Sequence, residues 1–507
     1  MSLKAFPLTS SSRSNSPMKV FRMRRVLPAI SLLALSACGG TPDDFGDDSE
    51  VLAGSATQAL KGGNGHGNGH GHGHRPNGKE LFQTAFDDTN DRSCATCHVL
   101  EDHTGLTPAH VQAAFAANPN DPLFNPIDAD DPNAAEPTYE HLKKGLVRVV
   151  IHLPDNMDLI DFAGNVVTGP DRNVEVWRAV PSVANAAITA PYQYDGRKGN
   201  LQEQAQAAIS SHSQGPIVDD EDLDAIAEFQ QELFTSNRAK WVAKKMDKGI
   251  PAEEIPRPEL RMDDLTPAQA RGLEVYNTAC EGCHGGSTTL QITNREVHAL
   301  AFVELKPDGT VLFDTSVTPP QAVLRPQPNN NEFVNIGFAN LSYLGQLFGD
   351  FFGPRFNASV SLPQYRYRFY TDGTRSQQVV DLPPIPPGGP FNFGAVDENG
   401  APIFGPNFLP QMWSTDPGRA AITGDPVDFE AFDMPPLRGV AHTAPYFHDN
   451  LVETLRDAVD IYSRFVLPFF GPALNLPANL PPEPGSFFPE SLSPQQKDDL
   501  LEFLAIL

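Results

Sequence analysis

The sequence predicts a mainly α-helical protein of two related halves, the second carrying an irregular or β insertion. Three observations predict it. Cys94-Ala95-Thr96-Cys97-His98 recurs as Cys280-Glu281-Gly282-Cys283-His284. Thr189-Ala190-Pro191-Tyr192-Gln193-Tyr194-Asp195-Gly196 recurs as Thr443-Ala444-Pro445-Tyr446-Phe447-His448-Asp449-Asn450, with Pro181 and Pro435 before the two copies and Leu201 and Leu455 after them. Each half also closes on apolar residues at helical spacing, Ile226, Phe229 and Leu233 in one and Ser493 to Leu507 in the other.

Cys-x-x-Cys-His is the attachment signature of c-type haem. The two thiols form thioethers to the porphyrin, and the adjacent imidazole becomes an axial iron ligand. A redox Cys pair followed by a chance His, or half of a zinc site, are the competing readings. Two copies, with no further Cys pair to complete a zinc tetrahedron, disfavour both. The expectation is two covalent haem c groups, on Cys94 and Cys97 and on Cys280 and Cys283, with His98 and His284 on the irons. Each half is then cytochrome c-like.

Taken in order, residues 1–37 read as a lipoprotein signal peptide. Arg22, Arg24 and Arg25 precede an apolar run from Val26, and Leu35-Ser36-Ala37 leads to Cys38. Cys38 would carry the lipid, placing the protein in the periplasm. Gly39, where an Asp would retain it at the inner membrane, points to the outer one. Residues 38–77, dense in Gly and His, read as a flexible tether. The N-terminal domain is expected over 78–257 and opens on a short amphipathic helix, Glu80 to Phe86. The C-terminal domain is expected over 258–507, opening at Thr266-Pro267-Ala268-Gln269, a capping box with Pro at the first helical position. Its insertion, about 290–415, is rich in Pro, Gly, Asn and Phe and carries turn signals such as Lys306-Pro307-Asp308-Gly309. A formal net charge of −26 excludes nucleic acid as a partner and suits a basic soluble redox protein.

The paired Cys-x-x-Cys-His motifs, Asp195-Gly196-Arg197 with Glu203 beyond it, Asp416-Pro417-Gly418-Arg419, Met434-Pro435-Pro436-Leu437-Arg438 and Pro445-Tyr446-Phe447-His448-Asp449 together resemble the bacterial di-haem cytochrome c peroxidase and MauG superfamily. The resemblance implies two mainly α cytochrome c domains, a peroxidatic N-terminal haem and a second haem that stores or relays electrons. It also implies a calcium ion held in part by the carbonyls of Thr443 and Pro445. Glu203 falls at the family's acidic catalytic position, with Gln193 as its hydrogen-bonding companion. The family's inter-haem Trp position falls near Ser182 or Val183, so that ring is absent; Trp177 is expected in the core. His448 is expected to act in structure or proton coupling.

The second iron ligand divides the superfamily. Its peroxidases place Met fourteen residues after the His of Pro-Tyr-Phe-His; here that position is Tyr462, as in MauG-type enzymes. Ionising a free phenol at pH 7 costs about 4 kcal/mol, which a directly bound ferric ion supplies. The Thr-Ala-Pro repeat sets Ala208 opposite Tyr462. The first haem is therefore expected to be open to peroxide, unless His212, His103 or His110 closes it. The expected function is a periplasmic di-haem oxidoreductase that reacts with hydrogen peroxide and oxidises a small redox protein (a cytochrome c or cupredoxin) or a protein substrate. The alternatives are a non-catalytic electron-transfer cytochrome and a rubber-oxygenase-like dioxygenase.

Overall fold

The computed structural model describes residues 77–257, 264–293, 313–314, 321–322, 333–335, 361–383, 413–468, 476, 480–481 and 490–507. The expected signal peptide, Cys38, nearly all of the tether and most of the insertion lie outside these residues. Among the described residues no helix is long and apolar enough to cross a membrane.

The chain is helical with small sheets, and both halves belong to one compact unit. The first half runs α1 (Gly78–Gln83), α2 (Pro108–Ala117), β1 (Leu146–His152), β2 (Met157–Leu159), β3 (Asn173–Ala179), α3 (Leu201–Ser211), α4 (Asp220–Gln231) and α5 (Asn237–Asp247). The second runs α6 (Pro267–Ala279), β4 (Tyr367–Tyr370), β5 (Gln378–Leu382), α7 (Leu455–Ile461), a π turn over Tyr462–Val466, and α8 (Pro494–Leu504).

In each half the first helix crosses a late one, α4 in the first half and the final α8 in the second. In the first, α1 crosses α4 so tightly that a Cβ on Gly78 would collide with the carbonyl of Ala225. In the second, a Cβ on Gly272 of α6 would collide with the carbonyl of Asp499 of α8. Above each crossing an aromatic pair packs at 5.2 Å, Phe82 on Phe229 and Tyr276 on Phe503. The resemblance between Gly78–Phe82 and Gly272–Tyr276 is thus a packing requirement repeated twice. The expected capping box at Thr266 forms, with Gln269 returning to the Thr266 N–H, and Ser493 and Gln496 repeat it on α8. Such a cap contributes about 1 kcal/mol.

The strands of the first half add to the expected mainly helical plan, which placed β structure only in the insertion of the second. Leu146-Val147-Arg148-Val149-Val150-Ile151 and Asn173-Val174-Glu175-Val176-Trp177 are β-branched and aromatic runs, and they pair antiparallel with Val149 opposite Val176. The described part of the insertion is divided: Phe333–Val334 pairs with Phe432–Asp433 of the second half, whereas another stretch crosses to the first. Its strand β4 pairs with β2, Met157 opposite Phe369, and β5 completes a three-stranded sheet. Met157, Val176, Tyr367 and Phe369 are fully buried in one core drawn from both halves. Each side chain of this kind contributes about 1.5–3 kcal/mol by leaving water. Trp177 lies in the core as expected, stacked on His141 at 4.1 Å.

Candidate haem sites

The two Cys-x-x-Cys-His segments fold into the same turn. Cys97 N and His98 N both donate to Cys94 O, at 3.2 and 2.9 Å; Cys283 N and His284 N donate to Cys280 O, at 3.0 and 2.7 Å. Each turn therefore holds two thiols and an imidazole in one fixed relation. An antiparallel bridge closes each loop, Val99 with Gly105 and Gly285 with Gln291. All four thiols and both imidazoles line or adjoin one cavity of about 510 Å³.

The imidazoles are prepared for ligation. His98 Nδ1 lies 3.0 Å from Thr104 O. A neutral ring donating its Nδ1–H there keeps a lone pair on Nε2. Burial lowers the His98 pKa, the carbonyls of Thr104 and Pro181 oppose that, and His212 lowers it again. At His284 burial pushes the pKa down to about 4 against the carbonyls of Thr289 and Pro435. Pro181 and Pro435, equivalent in the repeat, both line the cavity. Two thiols with an adjacent neutral His at each turn fit covalent haem.

The opposite wall of the cavity is built by α3 and by α7 with its π turn. Asn200 caps α3 through Glu203 N, and Thr454 caps α7 through Asp457 N. Both helices follow a cis-proline turn, Ala190-Pro191 and Ala444-Pro445, whose Tyr hydroxyl returns to a carbonyl: Tyr192 to Ala186 at 2.9 Å, Tyr446 to Val440 at 3.0 Å. The same spacing then delivers Leu201, Gln204, Ala208 and His212 to one site and Leu455, Ala458, Tyr462 and Val466 to the other. Ala208 and Tyr462 do occupy equivalent places. Burial holds the Tyr462 phenol above its ordinary pKa, and the thiols of Cys283 and Cys280 add to the shift. It is a neutral phenol unless a cation lies against it.

No protein-family model matches the chain. Over 59 residues it is 41% identical to the cytochrome-c peroxidase IdrP2 of Denitromonas iodatirespirans, and over 71 residues 45% identical to the cytochrome c551 peroxidase of Pseudomonas aeruginosa. These segments span 16% and 18% of the two relatives and 12% and 14% of this chain. Over these short segments the chain is similar to bacterial cytochrome c peroxidases, in line with the resemblance carried by its motifs. Among solved structures, a MauG-like protein associated with microbial copper homeostasis covers 84% of the chain at 16% identity and a TM-score of 0.35. The diheme peroxidase BthA from Burkholderia thailandensis covers 84% at 15% identity and a TM-score of 0.28. Likenesses at that level carry no argument about chemistry.

Several expected residues of the superfamily's site fall elsewhere. Glu203 does not line the cavity. It is exposed at the start of α3, where its carboxylate accepts from Asn200 Nδ2 at 2.8 Å and from Gly199 N at 3.3 Å. Gln204 takes the cavity-facing place. Helical spacing explains the exchange: five residues separate Glu203 from Ala208, about 140° around the helix, whereas Gln204, four before Ala208, shares its face. Gln193 does line the cavity, at a positive φ of 70°, and its Oε1 accepts from Arg197 Nε. Arg197 is also paired with Asp195 at 3.4 Å.

Calcium takes about six to eight oxygen ligands. Thr443 and Pro445 line the cavity, but two carbonyls fall short of such a shell, and no cluster of three or more acidic, His or Cys side chains accompanies them among the described residues. His448 is buried, stacked on Phe432 at 4.1 Å, and its carbonyl accepts from Ala179 N at 2.6 Å. It joins the second half to the end of β3. Beside it, Arg178 donates to Asp195 at 2.6 Å and to Asp416 at 2.7 and 3.0 Å, all three buried. The sequence carried a signal for this lock in Asp195 and Asp416 of the two resemblance motifs, but nothing that named Arg178 as their shared partner.

Proposed function

We propose that the protein is a periplasmic, lipid-anchored oxidoreductase of two cytochrome c domains, 78–257 and 258–507, that reacts with hydrogen peroxide at the site of the first half. The observation that supports it most is the unequal pair Ala208 and Tyr462 over two otherwise matching Cys-x-x-Cys-His turns. A c-type haem bound at each turn supplies the iron that reacts with peroxide and holds its oxidising equivalents. The chain supplies the rest. Ala208 leaves the first face unfilled. Gln193 and Gln204 offer amides that orient a small polar oxidant, and Arg197 lies beside them. His212, one turn beyond Ala208, accepts a proton from peroxide at its imidazole and returns it to the departing oxygen; such transfer contributes about 10²–10⁴-fold. Glu203 takes no part in this step. Tyr462 gives the second site a hard oxygen donor, favouring the higher oxidation states of iron. Reduction comes from a small redox protein or an oxidisable residue of a protein substrate, as peroxidase relatives suggest.

His212 also favours a second reading. A buried imidazole in the first site is itself an iron donor, and bound there it would make both sites six-coordinate, as in an electron carrier. Electron paramagnetic resonance of the ferric protein separates the two. One high-spin signal that changes on adding peroxide, with oxidation of reduced cytochrome c, supports the peroxidase. Two low-spin signals indifferent to peroxide would sink it.

A further inference from the structure

A bridge between the sites must do without the aromatic ring that Ser182 and Val183 lack. The backbone supplies one on the side of the two axial histidines. His98 Nδ1 meets Thr104 O at 3.0 Å. Thr104 Oγ1 accepts from Val183 N at 3.0 Å and from Ala184 N at 3.1 Å. Next in the chain, Asn185 crosses between the halves, its Nδ2 donating to Arg438 O at 3.2 Å. One residue back from Arg438, Leu437 N donates to Thr289 Oγ1 at 2.8 Å. Thr289 N then donates to Gly286 O at 3.4 Å, two residues beyond His284.

We infer that this hydrogen-bonded chain, through Thr104, Asn185 and Thr289, is the route by which electrons pass between the two haem sites. The inference rests on the di-haem reading above. Its two ends are alike in ways that ordinary loop packing does not require. Thr104 and Thr289 are 1% and 0% exposed. Both hold φ values of 66° and 61°, a region β-branched residues rarely enter and one that persists where the surroundings enforce it. The amides they receive, from Val183 and Leu437, are equivalent in the repeat. Thr104 thus ties His98 to the loop of its own half, Thr289 ties the segment just after His284 to the loop of the other, and Asn185 ties the two loops together. With a haem held at each Cys-x-x-Cys-His turn, one electron given up at one site would be taken up at the other, with no bond to a proton or substrate changed. A second crossing exists, His103 stacked on His442 at 4.8 Å, but His442 is exposed and does not line the cavity.

The test uses the full holoprotein after one-electron photoreduction, following redistribution between the two haem spectra. Asn185→Asp keeps the acceptor for Thr235 N and a residue type that tolerates a φ of 68°, but loses the donor to Arg438 O. It should slow redistribution severalfold at equal driving force, both reduction potentials being measured in the same variant, and the buried carboxylate with the lost bond to Thr235 Oγ1 should lower the thermal unfolding midpoint. Thr289→Val, which removes the acceptor for Leu437 N, should do the same. Unchanged rates in both variants, or slowing only in His442→Ala, would overturn the inference. A wild-type protein carrying fewer than two covalent haems, counted by mass, would instead remove the reading on which it rests.

Discussion

The inner faces of α3 and α7 are one design given two chemistries. Both start from a side-chain cap, both follow a cis-proline turn with a tethered Tyr, and both line the cavity that also holds His98 and His284. At three equivalent places they differ: Gln204 against Ala458, Ala208 against Tyr462, His212 against Val466. The first face is polar with a gap at its centre. The second is apolar with one oxygen donor where that gap would be. Scaffold and reactivity are therefore separable, and three side chains carry the difference.

The strongest way to break the comparison is to remove one anchor at a time. Cys97→Ala and Cys283→Ala should each lose one of the two covalent haems, read as the haem-to-protein ratio by intact mass. The first should abolish the reaction with peroxide, and the second should leave its initial step. Equal loss of that step in both would mean the two sites do not divide the work.

His212→Ala comes next. It should slow the peroxide reaction by on the order of 10²–10⁴-fold, the usual weight of a positioned proton carrier, in stopped-flow traces at neutral pH. If His212 instead binds iron at rest, the same variant should turn a low-spin signal high-spin and speed the reaction. Opposite signs make the two readings of the first face easy to tell apart.

Arg178→Met tests the scaffold that both faces share. Arg178 is the common partner of Asp195, in the first half's repeat motif, and Asp416, in the second. Leaving two buried carboxylates without their cation should cost about 3–5 kcal/mol, measured by denaturant unfolding of the holoprotein. Burial pushes the Asp416 carboxyl up, but the charge and hydrogen bonds of Arg178, with His448, outweigh it and hold the pKa below its ordinary value. A depressed carboxylate pKa stabilises the fold above the unfolded value. That contribution should fade as the pH falls through the folded value, so the wild type should lose its advantage over Arg178→Met in acid.

The two cofactor turns, the Thr-Ala-Pro repeat and the capping boxes were legible in the sequence because each is local: a fixed spacing dictates a fixed geometry. The equivalence of Ala208 and Tyr462 followed from counting along that repeat. What the sequence did not disclose is long-range. Nothing local shows that β4, within the insertion, pairs with β2 of the other half, or that Arg178 joins Asp195 to Asp416. The strands β1 and β3 were readable from their β-branched runs, but the expectation of two plain cytochrome folds outweighed that signal. Glu203 was misplaced by following motif order where helical angle decides.

Tyr462→Met sharpens the second face with a gentler change, since the helix, the π turn and the cavity remain. A thioether is softer than a phenolate and favours ferrous iron. The reduction potential of the second site should rise and its resting spectrum should change, while the first site's initial rate with peroxide holds. Spectroelectrochemistry reads both sites in one titration. An unmoved second potential would mean that Tyr462 packs against the site without binding there.

The smallest effect is expected at Glu203, and its smallness is the point. As the third residue of α3 it receives the Asn200 cap at its own N–H and returns its carboxylate to the Asn200 side chain and Gly199 N. An acidic group there also favours the positive end of the helix dipole, by about 0.3–1 kcal/mol. Glu203→Gln keeps most of the hydrogen bonding and loses the charge, so stability should fall by less than about 1 kcal/mol. Peroxide kinetics should stay within experimental error. Gln204→Leu, one residue on but facing the cavity, should alter those kinetics while leaving the cap intact. If the ranking inverted, with Glu203→Gln crippling the reaction and Gln204→Leu silent, α3 would have to sit rotated over the first site. The matched registers of the two helices, on which the contrast between Ala208 and Tyr462 depends, would then be lost with it.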